Sequence, residues 1–121
     1  MMNVPTILVA EDTDSSYALV NILLRKDYQL IRAINGVEAI RMYSELHPDV
    51  ILMDIQMPLL NGLDATRQIR EVDKNIPIVA ITAFAFESDR DAFMAAGGSD
   101  YMAKPIDPDE LKVMMRRIVN A

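Results

Sequence analysis

Five polar residues have the types and positions that chemistry at a phosphate group would need. The acidic pair Glu11 and Asp12 directly follows one short apolar run, and the carboxylate of Asp54 follows another. Thr82 and Lys104 stand in the same place after two further apolar runs. In one pocket, the carboxylates would bind a hard cation and supply a nucleophile, while the hydroxyl and ammonium groups would hold phosphoryl oxygens. The set therefore predicts phosphoryl transfer, with Asp54 as the acceptor.

Three converging carboxylates are unstable without a partner of opposite charge. Two unit charges about 4 Å apart repel by roughly 4 kcal/mol at an effective dielectric constant of about 20. The cluster must therefore take up a proton or bind a cation. Oxygen ligands that leave coordination positions open for water favour Mg²⁺ over Ca²⁺, and Mn²⁺ suits the same ligands. We expect a Mg²⁺ site that also accepts Mn²⁺.

Five short apolar runs predict the strands that position these groups. Uninterrupted apolar runs of this length are typical of strands buried on both faces of a parallel sheet. The second run is the weakest, since Gln29 and Arg32 flank it, and we expect it at a sheet edge. The runs are Ile7–Ala10, Leu30–Ile31, Val50–Met53, Ile78–Ile81 and Tyr101–Ala103.

Amphipathic stretches between the runs predict five helices. Strict alternation of strand and helix predicts an α/β fold with helices on both faces of the sheet, and ligands of such sheets bind beyond the carboxyl ends of the strands. Asp107 and Pro108 are typical of a helix start. The expected apolar faces contain Leu19, Ile22 and Leu23; Val37, Ile40 and Tyr43; Ala65, Ile69 and Val72; Ala92, Phe93 and Ala96; and Leu111, Met114, Met115 and Ile118.

The composition excludes several other kinds of site. The chain has 121 residues, no cysteine and one histidine, which removes disulfides, thiolate nucleophiles and multi-histidine metal sites. Its 12 Lys and Arg against 18 Asp and Glu give a net charge of −6, which disfavours direct binding to nucleic acid. No apolar run approaches the roughly 20 residues of a membrane span, so we expect no membrane insertion and a cytoplasmic location. The length suits a single domain over residues 1–121, with no output domain in this chain.

The polar residues lie in motifs that resemble the response-regulator receiver domain of two-component signalling. The resemblance extends from Thr6 to Ile118. It implies a flavodoxin-like fold, with a doubly wound, five-stranded parallel sheet of order 2-1-3-4-5 and five helices. It also implies a signalling module that is not an enzyme, beyond catalysing its own phosphorylation and dephosphorylation. The matching motifs are Val9-Ala10-Glu11-Asp12, Leu52-Met53-Asp54-Ile55-Gln56-Met57-Pro58, Asn61-Gly62, Ile81-Thr82-Ala83 and Lys104-Pro105.

The resemblance gives roles to the residues around the phosphoryl group. Asp54 corresponds to the phosphoacceptor, Thr82 to the hydroxyl that closes on the phosphoryl group, and Lys104 to the lysine that pairs with it. The peptide bond between Lys104 and Pro105 is typically cis in the family. Thr82 and Tyr101 correspond to the switch residues, and the readout surface would consist of the fourth helix, fifth strand and fifth helix.

The resemblance also implies the metal ligands. Asp12 and Asp54 look like direct ligands, and Glu11 looks like the acid that acts on the metal through water. The backbone carbonyl of Gln56 corresponds to a further ligand.

Two segments, 53–70 and 82–85, look most like receiver domains of hybrid sensor histidine kinases. This similarity implies a sensor histidine kinase or a histidine-phosphotransfer domain as the partner that supplies the phosphoryl group. The chain would then be either a stand-alone protein or a piece of a hybrid kinase. A phosphorylation-dependent dimer through the readout surface is a further expectation.

Two stretches depart from the commonest family pattern. Residues 13–16, Thr-Asp-Ser-Ser, replace a segment that contains Asn in many members. Phe84 is bulky where many members are polar, and with Gln56 it borders the path of an attacking water. A bulky group there predicts a long-lived phosphoryl group.

Three alternative functions use similar parts. A phosphatase of the haloacid dehalogenase type needs a second acid two residues after its nucleophile, where this chain has Gln56. A flavodoxin-like FMN carrier needs a phosphate-binding loop after the first strand, where Glu11 and Asp12 would repel phosphate. A degenerate receiver that acts only as a binding module would not need the complete polar set.

Overall fold

Five parallel strands form one sheet in the order β2-β1-β3-β4-β5, as predicted. The computed structural model describes residues 4–83 and 87–120. β2 lies at an edge, so the weak apolar run is correctly placed. Asp54 and Thr82 are the last residues of their strands, whereas the sequence places them just beyond. The strands are β1 Thr6–Ala10, β2 Gln29–Ala33, β3 Val50–Asp54, β4 Ile78–Thr82 and β5 Asp100–Ala103.

Helices cover both faces of this sheet, which makes it doubly wound. Alternate residues of each strand point to opposite faces. Ile7 and Val9 of β1 accordingly contact the α1 and α5 side, and Leu8 and Ala10 contact the α2, α3 and α4 side. Both faces are therefore buried, which explains the uninterrupted apolar runs. The helices are α1 Asp14–Leu24, α2 Gly36–Leu46, α3 Gly62–Val72, α4 Glu87–Ala95 and α5 Pro108–Val119.

Side-chain caps fix the starts of three helices. Asn35 accepts a hydrogen bond from the backbone N–H of Glu38, and Asn61 does the same for Asp64. Asp107 accepts from two backbone N–H groups of the first turn of α5, which begins at Pro108 as predicted. These caps fix the residues at which α2, α3 and α5 begin.

The predicted apolar face of α1 is wrong at two of its three residues. Leu23 is partly buried and packs against the core, but Leu19 and Ile22 are exposed, whereas Val20 and Leu24 are buried. The helix is apolar around much of its circumference, so periodicity alone does not select the side that faces the sheet. Packing against β1 and α5 makes that selection.

Two further residues of the predicted helix faces are exposed. Val37 lies in the first turn of α2, and Val72 is the last residue of α3.

No helix within the described ranges is long and apolar enough to cross a membrane. The prediction about Phe84 and the phosphoryl lifetime lies outside the described residues.

Candidate functional site

The three predicted carboxylates meet at the carboxyl edge of the sheet. β1 and β3 are adjacent and parallel, with Ala10 opposite Met53, so the residues that follow lie side by side. Carboxylate oxygens of Glu11, Asp12 and Asp54 all lie within 4.8 Å of one another. Glu11 and Asp54 are buried and Asp12 is exposed. One carboxylate of the group therefore faces solvent.

Lys104 joins two of these carboxylates. Its Nζ donates to Oε1 of Glu11 at 2.6 Å and to Oδ2 of Asp54 at 3.1 Å. The lysine follows β5, and its backbone N–H donates to the carbonyl of Thr82 at 2.8 Å. The peptide bond between Lys104 and Pro105 is cis, as expected.

The charges in this cluster are unbalanced. The pKa of Glu11 is raised from 4.5 to about 7, mainly by burial and also by the neighbouring Asp54, although the ammonium of Lys104 acts in the opposite direction. Burial lowers the pKa of Lys104, but its contacts with Glu11 and Asp54 outweigh that effect, so its pKa is raised overall. One ammonium group thus faces three carboxylates. This oxygen-rich, excess-negative donor set fits a hard divalent cation.

The backbone after β3 holds Asp54 in place. The N–H of Gln56 donates to Oδ1 of Asp54 at 3.0 Å, and the N–H of Gly62 donates to the carbonyl of Ile55 at 3.0 Å. A Cβ atom on Gly62 would lie only 2.2 Å from the backbone oxygen of Asp54. The Asn61-Gly62 motif therefore has a steric reason, because α3 begins in direct contact with the end of β3.

The remaining predicted residues lie on the same edge or beside it. Thr82 is buried at the end of β4, one residue beyond Ile81, which pairs with Asp54. Tyr101 is half-buried on β5, and its ring centroid lies 6.4 Å from that of Phe93 in α4. Gln56 is exposed, and its predicted carbonyl contact with a metal stays a prediction.

One residue near the site has no predicted role. In the sequence, Arg32 only marks the end of a weak apolar run. In the structure, its Nε donates to the backbone carbonyl of Glu11 at 3.0 Å. A basic residue in an edge strand, opposite the residues that precede an acidic pair, is the sequence signal that could have identified Arg32.

Comparison with known proteins gives the family. The response regulator receiver domain matches residues 7–116. Hybrid signal transduction histidine kinase I of Dictyostelium discoideum is 43% identical over 112 residues, which are 84% of this chain and 6% of that protein. The polar-differentiation response regulator DivK of Brucella anthropi is 36% identical over 104 residues, which are 84% of this chain and 85% of DivK. The chain belongs to the response regulator receiver domain family.

A solved structure agrees with this assignment. The receiver domain of the sensor histidine kinase PA1611 from Pseudomonas aeruginosa PAO1 has a TM-score of 0.89 and 34% identity, over 97% of this chain and 98% of that one. That receiver has a magnesium ion coordinated in its active site cleft. The present chain is thus a signalling module of two-component systems, with relatives in hybrid kinases and in DivK.

Proposed function

We propose that this chain accepts a phosphoryl group on Asp54 from a phosphohistidine of a partner protein. The observation that carries the proposal is the convergence of three carboxylates and Lys104 at one edge of the sheet. In this family, that arrangement suits an acceptor better than a phosphatase, since the second acid of the haloacid dehalogenase type is absent at Gln56.

The transfer needs little chemistry from the protein beyond positioning. A carboxylate oxygen of Asp54 attacks phosphorus, the bond between phosphorus and the histidine nitrogen breaks, and that nitrogen keeps the electron pair. The departing nitrogen takes up a proton from water, so the products are an acyl phosphate on Asp54 and a neutral imidazole on the donor. Lys104 and the hydroxyl of Thr82 would hold the phosphoryl oxygens, where negative charge is greatest.

The acidic cluster would hold the cation that this transfer requires. Asp12, Asp54 and the carbonyl of Gln56 would be direct ligands, with Glu11 acting through water. In that position Mg²⁺, or Mn²⁺ in its place, would supply positive charge to the phosphoryl oxygens. The magnesium-bound receiver of PA1611 supports this assignment.

Phosphorylation would be read on the surface formed by α4, β5 and α5. Charge-assisted contacts of Thr82 and Lys104 with the phosphoryl group would contribute about 1.5–3 kcal/mol each. The sum approaches the roughly 5.5 kcal/mol that inverts a two-state population from about 1:99 to about 99:1. β4, which ends at Thr82, pairs with β5, which carries Tyr101. A shift of Thr82 toward the phosphoryl group would therefore reach Tyr101 through one pair of adjacent strands. A phosphorylation-dependent dimer would use this same surface.

The proposal also covers the partner and the setting. The donor would be a sensor histidine kinase or a histidine-phosphotransfer domain, which the hybrid-kinase relatives support. We place the reaction in the cytoplasm, where such donors obtain phosphate from ATP. The chain would act as one receiver domain, would turn over no external substrate and would not bind nucleic acid directly.

Phosphotransfer in vitro tests the proposal. With a phosphorylated histidine-phosphotransfer domain and Mg²⁺, we expect one phosphoryl group per chain, and none after addition of EDTA. Asp54→Asn should abolish uptake, because the amide is not a nucleophile of comparable strength. Asp109→Asn, on the exposed first turn of α5, is the matched control and should leave uptake unchanged. Phosphorylation of Asp54→Asn to the wild-type level would contradict the proposal.

A further inference from the structure

Arg32 contacts both sides of the loop that carries Asp12. Its Nε donates to the backbone carbonyl of Glu11 at 3.0 Å, and its Nη2 lies 2.9 Å from Oδ1 of Asp14. Its guanidinium carbon also lies 4.8 Å above the centroid of the Tyr17 ring in α1. One planar side chain thus touches the residue before Asp12 and the first residue of α1.

These contacts differ in kind. The bond to the Glu11 carbonyl is a regular hydrogen bond, and it lies beside the N–H of Glu11, which donates to the carbonyl of Ala33 at 2.9 Å. Nη2 is buried and forms no aligned hydrogen bond among the described residues, so Asp14 satisfies it through charge alone. The Asp14 carboxylate is almost fully exposed, and an ion pair of that kind contributes little to overall stability. The hydrogen bond to the Glu11 carbonyl is therefore the stronger of the two constraints on this loop.

The loop between these anchors contains an exposed ligand that has little support of its own. Asp12 is exposed, and no hydrogen bond or ion pair of its carboxylate is formed within the described part of the chain. Glu11 and Asp54, in contrast, are buried and bonded to Lys104. The position of Asp12 thus depends on the backbone on either side of it.

We propose that Arg32 is a positioning residue that sets the affinity for the divalent cation by fixing the loop of Asp12. This inference rests on the proposed function, since it concerns the same metal site. The planar guanidinium reaches a carbonyl and a carboxylate at once, which an ammonium group cannot do with the same geometry. Residues that orient metal ligands in this way typically change affinity by about 10–100-fold when they are replaced.

Charge alone predicts a different result from loop positioning. The guanidinium carries positive charge beside a cation site, so its removal would tighten cation binding if only electrostatics mattered. Loop positioning predicts weaker binding whether or not the replacement keeps the charge. Arg32→Lys keeps the positive charge but loses the planar guanidinium that reaches both partners, and Arg32→Gln loses the charge and the guanidinium.

Titration of the metal-free protein with MgCl₂, followed by amide NMR signals around Asp54, measures the affinity. We expect Arg32→Lys and Arg32→Gln both to weaken Mg²⁺ binding by about 10-fold. Asp14→Asn should weaken it by about 3-fold or less, as expected for one exposed ion pair. Without metal, the amide signals of Asp12 and Thr13 should broaden in the Arg32 variants, because the loop samples more conformations.

A rate measurement separates positioning from damage to the fold. At saturating Mg²⁺ the Arg32→Lys protein should be phosphorylated at the wild-type rate, since Asp54 and Lys104 are unchanged. Arg41→Lys, which alters an exposed ion pair with Glu45 in α2, is the matched control and should keep wild-type affinity.

Two outcomes would overturn the inference and leave the proposed function intact: unchanged Mg²⁺ affinity in Arg32→Lys, or tighter binding in Arg32→Gln. A wild-type protein that shows no response to Mg²⁺ around Asp54 would overturn both.

Discussion

Glu11 is the residue whose ionisation the fold changes most clearly. Its carboxylate is buried beside Asp54, and the ion pair with Lys104 offsets only part of the unfavourable free energy of ionising it there. A neutral Glu11 could share its proton within the cluster, whereas a bound cation would favour the ionised form. Protonation and metal binding are therefore competing ways to relieve the same excess of negative charge.

The raised pKa of Glu11 predicts how stability depends on pH. Because this pKa rises from 4.5 to about 7, the folded protein binds more protons than the unfolded chain between those values. The free energy of unfolding in EDTA should therefore fall as the pH rises from 4.5 to 7, by about 2 kcal/mol after allowance for coupling to Asp54. Urea unfolding across this range measures the effect.

Glu11→Gln should remove this part of the pH dependence, because the amide does not titrate. Glu71→Gln, on the exposed side of α3, is the control and should retain the wild-type slope. A Glu11→Gln protein with the wild-type slope would show that another group is responsible.

At the scale of elements, the contact between β3 and α3 fixes the position of Asp54, the proposed acceptor. Gly62→Ala would bring a methyl group to 2.2 Å from the backbone oxygen of Asp54 and 2.9 Å from Cγ of Met53. Backbone cannot yield as a flexible side chain does, so we expect a loss of about 1–3 kcal/mol in stability. Phosphorylation should also slow, because relief of the clash displaces Asp54. Urea unfolding and phosphotransfer rates measure the two effects.

Gln68→Ala tests whether a methyl group in α3 is harmful in itself. This residue is exposed on the same helix, so stability and phosphotransfer should stay close to wild type. A Gly62→Ala protein with wild-type stability and rate would contradict the role given to this contact.

Elements were easier to predict than the faces they bury. Apolar runs and alternation gave the strands and helices, since burial on both faces of a parallel sheet leaves a strong pattern. The family resemblance supplied the strand order. The face predicted for α1 was wrong at Leu19 and Ile22, because they follow the helical period as well as Val20 and Leu24 do. Only packing against the sheet distinguishes these two sets.

In the candidate site, too, some features could be predicted from the sequence and others could not. Polar residues at strand ends were visible in the sequence, because they interrupt apolar segments. The shared pocket was predicted, but the specific pairs within and beside it were not: the ion pair of Lys104 with Glu11 spans 93 positions, and the contact of Arg32 with the Glu11 carbonyl spans 21. Such pairs depend on strand order and register, which no local pattern records.

At the scale of the whole molecule, the sheet connects Asp54, the proposed acceptor, with the proposed readout surface. β4 pairs with both β3 and β5, and Thr82 lies opposite Ala103. On addition of beryllofluoride and Mg²⁺, amide NMR signals in α4, β5 and α5, including Tyr101, should shift. Thr82→Ala should reduce those shifts while leaving beryllofluoride bound at Asp54, because we propose the hydroxyl of Thr82 as the link between the site and the surface. Unchanged wild-type signals on that surface would rule out the switch.

The identity of the phosphorylated residue is the most direct test of the account. Reduction of the phosphorylated protein with borohydride converts an acyl phosphate on aspartate to homoserine, which peptide mass spectrometry locates. We predict homoserine at position 54, dependent on Mg²⁺ and on the phosphohistidine donor. Homoserine at another aspartate, or phosphate on a histidine or hydroxyl side chain with position 54 unmodified, would contradict the central claim.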